Sequence, residues 1–312
     1  MKSMPPYPQE SIDRKQNDRW PCGRDTEDEG LLKRRHGAEG LSEAVILACR
    51  ALVYSYDQTG RRQLPWRGNV SPWLVLVSEI MLQQTQVERV LPRFLDFRER
   101  FPTPRALADA ALPDLLAAWQ GLGYNRRALN LQRAARMIAD TWHEEIPADP
   151  ALLQQLPGIG PYTAGAVSTF AFNRPNVFLE TNIRTVLLHL FFCDRRDVGD
   201  RELVPYAEAL LDHDRPRDWY NALMDYGSDL KRRFPNPSRR SRHHTVQSRF
   251  AGSDRQLRGA ILRACLHNSD MSPQTLHKQL DVERERLERI ITALVQEGFL
   301  AQQDGRLVIP SV

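Results

Sequence analysis

From Leu41 to about Asp229, apolar residues recur at three- and four-residue spacings, the rhythm of amphipathic helices. LSEAVILACRALVYSYDQ carries it first, with Ser42 placed as an N-cap. The same pattern returns in SPWLVLVSEIMLQQ, TQVERVLPRFLDFRERF, LPDLLAAWQGL, NRRALNLQRAARMIADTW, PYTAGAVSTFAF, TNIRTVLLHLFF and PRDWYNALMDYGSDL. Alternating strand patterns are scarce, so this part of the chain is expected to be all-α. Pro65, Pro72, Pro102, Pro104, Pro147, Pro157, Pro161 and Pro175 fall where helices should begin or end.

Two other textures flank this region. Residues 1–38 are polar, charged and proline-containing, and are expected to be a disordered tail. Residues 231–250, KRRFPNPSRRSRHHTVQSRF, hold seven Lys/Arg and no Asp/Glu, and their prolines and serines argue against a regular helix. Taken alone, such a charge run reads as a solvated linker. The last sixty residues then give three helical patterns, SDRQLRGAILRACLHN, SPQTLHKQL and VERERLERIITALVQEGFL. A DG turn between short apolar stretches follows, as a hairpin would require. Three helices and a two-stranded wing make a winged-helix-like pattern, of a kind that binds DNA or protein. The expected organisation is a tail over 1–38, a helical core over 39–230, a basic segment over 231–252 and a small module over 253–312.

Composition narrows the partners. The 312 residues are 41% apolar and 26% charged, as in a globular protein with a sizeable core. The net charge of +4 and pI of about 9.0 hint at a polyanionic partner. No apolar run is long enough to span a membrane, and the N-terminal stretch lacks the apolar segment of a secretory signal. Cys22, Cys49, Cys193 and Cys265 are far apart, without metal-ligand spacing, and read as reduced thiols of a cytoplasmic protein.

The stretch LPGIGPYTAGAV, residues 156–167, pinches the chain between two helices. Gly158 and Gly160 permit unusual backbone angles and close approach, and Pro161 suits a first helical turn. The helix that follows offers free amides and a positive dipole end, a site for a DNA phosphate.

That hairpin resembles the helix-hairpin-helix element of the endonuclease III and adenine glycosylase (MutY) superfamily of base-excision DNA glycosylases. The resemblance covers residues 41 to about 230. LPWRGNVSPWLVLVSEIMLQQTQVERV (64–90) is similar to the MutY N-terminal signature, and GLGYNRRALNL (121–131) and ALMDYGSDL (222–230) also match. The resemblance implies an all-α helix-hairpin-helix glycosylase fold carrying the winged-helix-like module.

Hydrolysis of a deoxynucleoside needs an acid to protonate the leaving base and a negative charge near the oxocarbenium-like sugar. The base must also leave the stack. Glu79 lies in a helix otherwise rich in Val, Leu, Ile and Met, where a carboxylate is costly unless exposed or employed. The resemblance makes it the general acid. Where the superfamily places an Asp, this chain has Glu180, with Asn182 matching the Asn two residues on. Glu180 is then either the second catalytic carboxylate or an N-cap for the helix beginning near Thr181. Relatives with lyase activity carry a Schiff-base lysine at the place of Tyr162. A phenol cannot do that chemistry, so Tyr162 implies a monofunctional enzyme, its hydroxyl directed to Glu180 or the sugar. By the same resemblance Gln83, Gln84 and Thr85 fill the gap left by the extruded base. Tyr124 wedges beside the opposing base, and Trp66, Arg67 and Asp225 surround the base pocket.

Two departures matter. Most of the superfamily holds a [4Fe–4S] cluster on four cysteines after the DYG-like segment; here that stretch has none, so no cofactor is expected. In that location the basic run, Arg239 and Arg240 included, gains a DNA-backbone role. The C-terminal module is also unlike the Nudix-like domain that reads 8-oxoguanine in MutY proteins. The expected activity is removal of adenine opposite guanine or 8-oxoguanine in double-stranded DNA, by a cytoplasmic monomer, nucleoid-associated if bacterial or archaeal, without membrane contact. Removal of thymine or uracil from mispairs stays open, as does a catalytically silent DNA-binding protein.

Overall fold

The computed structural model describes residues 41–57, 63–68, 70–245, 249–268 and 271–310. The tail expected over 1–38 lies outside the described residues. Eleven helices build the described core: α1 (Glu43–Asp57), α2 (Pro72–Leu82), α3 (Val87–Arg100), α4 (Pro104–Ala108), α5 (Leu112–Trp119), α6 (Arg126–Thr141), α7 (Pro150–Leu153), α8 (Pro161–Phe172), α9 (Thr181–Phe191), α10 (Asp200–Leu210) and α11 (Pro216–Arg233). Their starts follow local chemistry. Ser71, Thr103 and Asp149 each accept a backbone N–H as N-cap, and each is followed by proline at the first helical position. Ser42 likewise accepts from Val45 N at 3.4 Å.

The helices divide into two lobes with separate cores. In the first, α2 to α7 enclose Leu76, Phe94, Phe97, Trp119 and Ile138. In the second, α1 returns to join α9, α10 and α11 around Cys49, Val53, Val186, Trp219 and Tyr226. Arg50 fixes that return by donating to the carbonyls of Leu210 and Leu211, which end α10 unpaired. Helix α8 lies between the lobes: Ala164 and Val167 belong to one core, Ala166 and Tyr162 to the other.

Two elements were not evident from the pattern. Helix α4 is only five residues long. Helix α10 carries Pro205 inside it, although Leu203, Tyr206, Ala207 and Leu210 do keep helical spacing. The domain boundary expected after residue 230 also moves. Helix α11 runs on to Arg233, and a 3-10 turn over Pro237–Arg240 packs on α9. Ser241 then pairs in parallel with Val198. Residues 231–245 therefore belong to the second lobe and are not a linker.

The C-terminal unit holds α12 (Asp254–His267), α13 (Pro273–Leu280), α14 (Arg284–Gln296) and a hairpin of β1 (Ala301–Gln303) and β2 (Arg306–Val308). Asp304 and Gly305 both take positive φ, the geometry an Asp-Gly hairpin turn requires. Leu307 N donates to Met271 O at 2.7 Å, tying the hairpin to the α12–α13 connection. No helix among the described residues is long and apolar enough to cross a membrane.

Candidate active site

A cavity of about 520 Å³ opens between the lobes. Helix α2 supplies one wall, and the starts of α8 and α9 with the inner face of α11 supply the others. Glu79, Tyr162, Glu180, Asn182, Trp66, Arg67, Asp225, Gln83, Gln84 and Thr85, far apart in sequence, all line it.

Glu79 is where it is because α2 is buried on every side: Val75 to Met81 are all buried. A carboxyl in such a helix has one outlet, the cavity. Burial pushes its pKa from the ordinary 4.5 to about 7, and the charge of Glu180 adds to the rise. A hydrogen bond from Tyr162 and the charge of Arg67 act the other way. The Tyr162 hydroxyl donates to Glu79 Oε2 at 3.4 Å. The partner expected from sequence was Glu180 or the sugar; the first turn of α8 instead carries the phenol across to α2. Its own pKa is raised well above 10, by burial first and by both carboxylates after, so it stays a neutral donor.

Glu180 takes the N-cap place that the sequence allowed it, and it also faces the cavity. Its Oε2 accepts from Asn182 N at 2.5 Å, so it caps α9. The same side chain lines the cavity and repels Glu79. Asn182, the second residue of α9, continues the wall, its Oδ1 accepting from Lys231 Nζ at 2.8 Å. Arg184, another lining residue, is held by two 2.8 Å hydrogen bonds to Asp200.

Across the cavity, Arg67 donates twice to Asp225, at 2.7 and 3.0 Å. This bidentate pair joins the loop before α2 to α11 and presents planar polar edges to the cavity. Trp66 is buried and packs edge-on to Phe94, centroids 5.3 Å apart.

The rim is built from two loops that one residue ties together. Arg127 donates to the carbonyls of Ile80, Met81 and Gln83, to Thr85 Oγ1, and to the carbonyls of Leu122 and Gly123. It closes the C-terminal end of α2 and anchors the Gly-rich loop before α6. Burial lowers its pKa to about 10, still a cation at neutral pH. Gln84 and Tyr124 take positive φ in these loops, 55° and 48°, with Gln84 exposed and Tyr124 half-buried. Gln83 donates to Thr163 Oγ1 at 3.1 Å. Arg127 stood inside the matched GLGYNRRALNL stretch, but nothing in the sequence said that it pointed inward. The cavity also takes Arg217 and Asn221 from α11, neither singled out beforehand.

The hairpin separates its two glycines. Gly158 has φ +81°, and a Cβ there would lie 2.9 Å from Asn130 Cβ. It is glycine for the fold. Gly160 has an ordinary φ of −90°, which corrects the expectation of a special backbone angle there. Nothing lies within 4 Å of its would-be Cβ. The open approach to the amides of α8 is therefore at Gly160.

The basic run needs a larger correction. Arg240 is 5% exposed, its guanidinium donating to Phe192 O at 3.0 Å, so it anchors the 3-10 turn and does not face DNA. Arg232 and Arg233 pair with Asp229, Arg242 with Asp197, and Lys231 with Asn182. Five of the seven basic side chains thus bond within the protein, while Arg239 and Arg249 stay exposed. The same geometry bears on the iron–sulfur cluster that the resemblance implies. The post-helix segment has no thiol, and its buried positions are Pro237, Ser238, Arg240 and Ser241. These residues do not fit such a cluster. The described cysteines, Cys49, Cys193 and Cys265, lie elsewhere in the chain.

Residues 77–204 match the model of the HhH-GPD superfamily base excision DNA repair protein. The chain is 35% identical to the adenine DNA glycosylase of Mycolicibacterium smegmatis over 280 residues, covering 83% of this chain and 94% of that protein. It is 34% identical to the human adenine DNA glycosylase over 204 residues, covering 60% of this chain and 36% of that protein. Among solved structures, a thermostable thymine-DNA glycosylase superposes with a TM-score of 0.52 at 23% identity, covering 59% of this chain and 86% of that one. That likeness bears on the fold.

Proposed function

From the premise that the chain belongs to the adenine DNA glycosylase family of the HhH-GPD superfamily, we propose that it removes adenine opposite guanine or 8-oxoguanine, and does so without lyase chemistry. It is a base-excision-repair glycosylase that hydrolyses the N-glycosidic bond of adenine. The mispair partner and the monofunctional course are the proposed parts.

Each group has a task in that reaction. The extruded base enters the cavity between Trp66 and the Arg67–Asp225 pair. Glu79 is held near neutrality, so at working pH it both carries a proton and can give it up. It protonates a ring nitrogen of the leaving base, which turns a poor leaving group into a neutral one. Positive charge then grows on the sugar, and the Glu180 carboxylate stabilises it. Tyr162 holds Glu79 in place through its hydroxyl. With no amine at this position there is no Schiff base, and water completes the hydrolysis to an abasic site.

The observation that carries the proposal is Glu79: a buried carboxyl whose pKa lies at about 7, facing the cavity beside a tyrosine where a lyase needs a lysine. Borohydride treatment during turnover on an adenine:8-oxoguanine duplex tests it. The expected result is no protein–DNA cross-link, with strands broken only after alkali. A cross-link, or strand breaks without alkali, contradicts it. The proposal extends to a cytoplasmic, DNA-associated monomer whose winged-helix-like C-terminal unit lies along the duplex beside Tyr124.

A further inference from the structure

Lys231 opens the basic run, and by composition it should face solvent. Its ammonium instead turns back into the protein. Four residues earlier, Gly227 lets α11 press directly on the start of α9: a Cβ there would lie 2.3 Å from the Asn182 carbonyl oxygen. Lys231, one turn on, reaches the Asn182 side chain and donates to Oδ1 at 2.8 Å. The Asn182 backbone N–H is already committed to Glu180. Asn182 is thus gripped at its amide, its carbonyl and its side chain.

An ammonium has three donors and no acceptor, so it tolerates one orientation of a carboxamide, with oxygen toward it. The amide nitrogen of Asn182 must then face away from Lys231. One of its two N–H groups donates to Met224 Sδ, a weak acceptor 3.8 Å away that also lines the cavity. Desolvation lowers the Lys231 pKa, while the Glu180 charge acts the other way, so the ammonium and the carboxylate feel each other. A half-buried cation is costly unless it is paired and hydrogen-bonded. Here Asn182 supplies the hydrogen bond and Glu180 a favourable charge, both from the cavity wall.

We infer that Lys231 is a positioning residue for base excision: it sets Asn182 as a hydrogen-bond donor toward the cavity and places a positive charge beside Glu180. The inference rests on reading this cavity as the glycosylase site. The extruded nucleotide would meet an N–H of Asn182, suited to a sugar or base acceptor atom. Lys231 acts through Asn182 and Glu180 and does not touch the substrate.

The test compares Lys231→Met, Lys231→Arg, Asn182→Ala and the double variant Lys231→Met/Asn182→Ala with the wild-type chain. Single-turnover excision from an adenine:8-oxoguanine duplex is measured beside affinity for the same duplex carrying a non-hydrolysable adenosine analogue. Lys231→Met is expected to slow excision about 10- to 100-fold, as small misplacements in a site do, with affinity changed less than about threefold. Lys231→Arg should recover most of the rate. The double variant should be slower than Asn182→Ala by a smaller factor than Lys231→Met is slower than wild type, because the lysine acts in part through the asparagine. A wild-type rate in Lys231→Met overturns the inference, and so do losses that multiply in the double variant. If Lys231→Met fails to fold, Lys231→Arg decides: a rate at the Asn182→Ala level overturns the inference. Wild-type inactivity on every duplex would instead remove the glycosylase reading itself, which separates the two failures.

Discussion

The Tyr162 hydroxyl and Glu79 Oε2 stand 3.4 Å apart, joined across two helices whose sequences are 83 positions apart. The bond favours the ionised carboxyl, whereas burial and Glu180 favour the protonated one, and burial is the larger influence. The result is an acid poised near neutrality.

A pH dependence follows. In the proposed mechanism Glu79 gives up a proton, so the single-turnover rate should fall as pH rises through about 7. Tyr162→Phe removes the donor to the ionised form, so the fall should move to higher pH. The same shift has a stability sign. The folded carboxyl holds its proton above the ordinary 4.5, so the native state binds more protons between pH 4.5 and about 7. Stability is full below that window and declines across it, and Glu79→Gln should remove this slope in denaturant titrations. An unmoved or lowered alkaline limb in Tyr162→Phe counts against the account.

The Arg67–Asp225 pair is expected to be worth more to the site than to the fold. Its side chains are 12% and 7% exposed. Removing one partner of such a pair leaves the other poorly solvated. Asp225→Ala should cost about 2–3 kcal/mol, at or below the fully buried range because the cavity admits water. Arg67→Ala/Asp225→Ala should cost less than the sum of the singles. Thermal denaturation of the four proteins reads this coupling, and strict additivity would dissolve it.

The hairpin glycines should respond differently. Gly158→Ala forces an L side chain into φ +81° and against Asn130, a loss of about 2 kcal/mol. Gly160→Ala changes stability by less than about 1 kcal/mol. It should still weaken duplex binding about tenfold, because the methyl stands where a phosphate approaches the α8 amides. Equal stability losses in the two variants would refute the division of labour.

Tyr124 is held by the C-terminal unit. Arg255, in the first turn of α12, donates to its hydroxyl at 2.6 Å and lies 5.3 Å from the ring centroid. Arg255→Ala and Tyr124→Phe should each lower the preference for mismatched over matched duplex about threefold to tenfold, and together no further. A 2-aminopurine beside the opposing base reports the same loss as reduced stacking change. Independent effects would mean that the C-terminal unit does not act through Tyr124.

What the sequence made legible was local. Helix positions came from periodicity and from proline and Ser/Thr/Asp caps, which depend on a few neighbouring residues. The candidate site came from short motifs around Glu79, Tyr162 and Glu180, each intact within one segment. Direction across space was not legible. The composition of residues 231–250 is the same whether an arginine faces phosphate or a carbonyl. Only the packing of the 3-10 turn on α9 turns Arg240 inward to Phe192. Arg127 and Lys231 were hidden for the same reason: their partners, the end of α2 and Asn182, are 40 to 50 positions away. Helix α10 was obscured by Pro205, a breaker by propensity that tertiary packing overrides.

The central claim is adenine excision by a protonated Glu79. Its most direct test is single-turnover cleavage of duplexes carrying adenine:8-oxoguanine, adenine:guanine, thymine:guanine and uracil:guanine, scored with and without alkali, for wild type and Glu79→Gln. The account predicts alkali-dependent breaks on the two adenine duplexes alone. It also predicts a loss of about 10²-fold or more in Glu79→Gln, with mismatch binding retained. Breaks on the thymine or uracil duplexes, or an undiminished rate in Glu79→Gln, would contradict it.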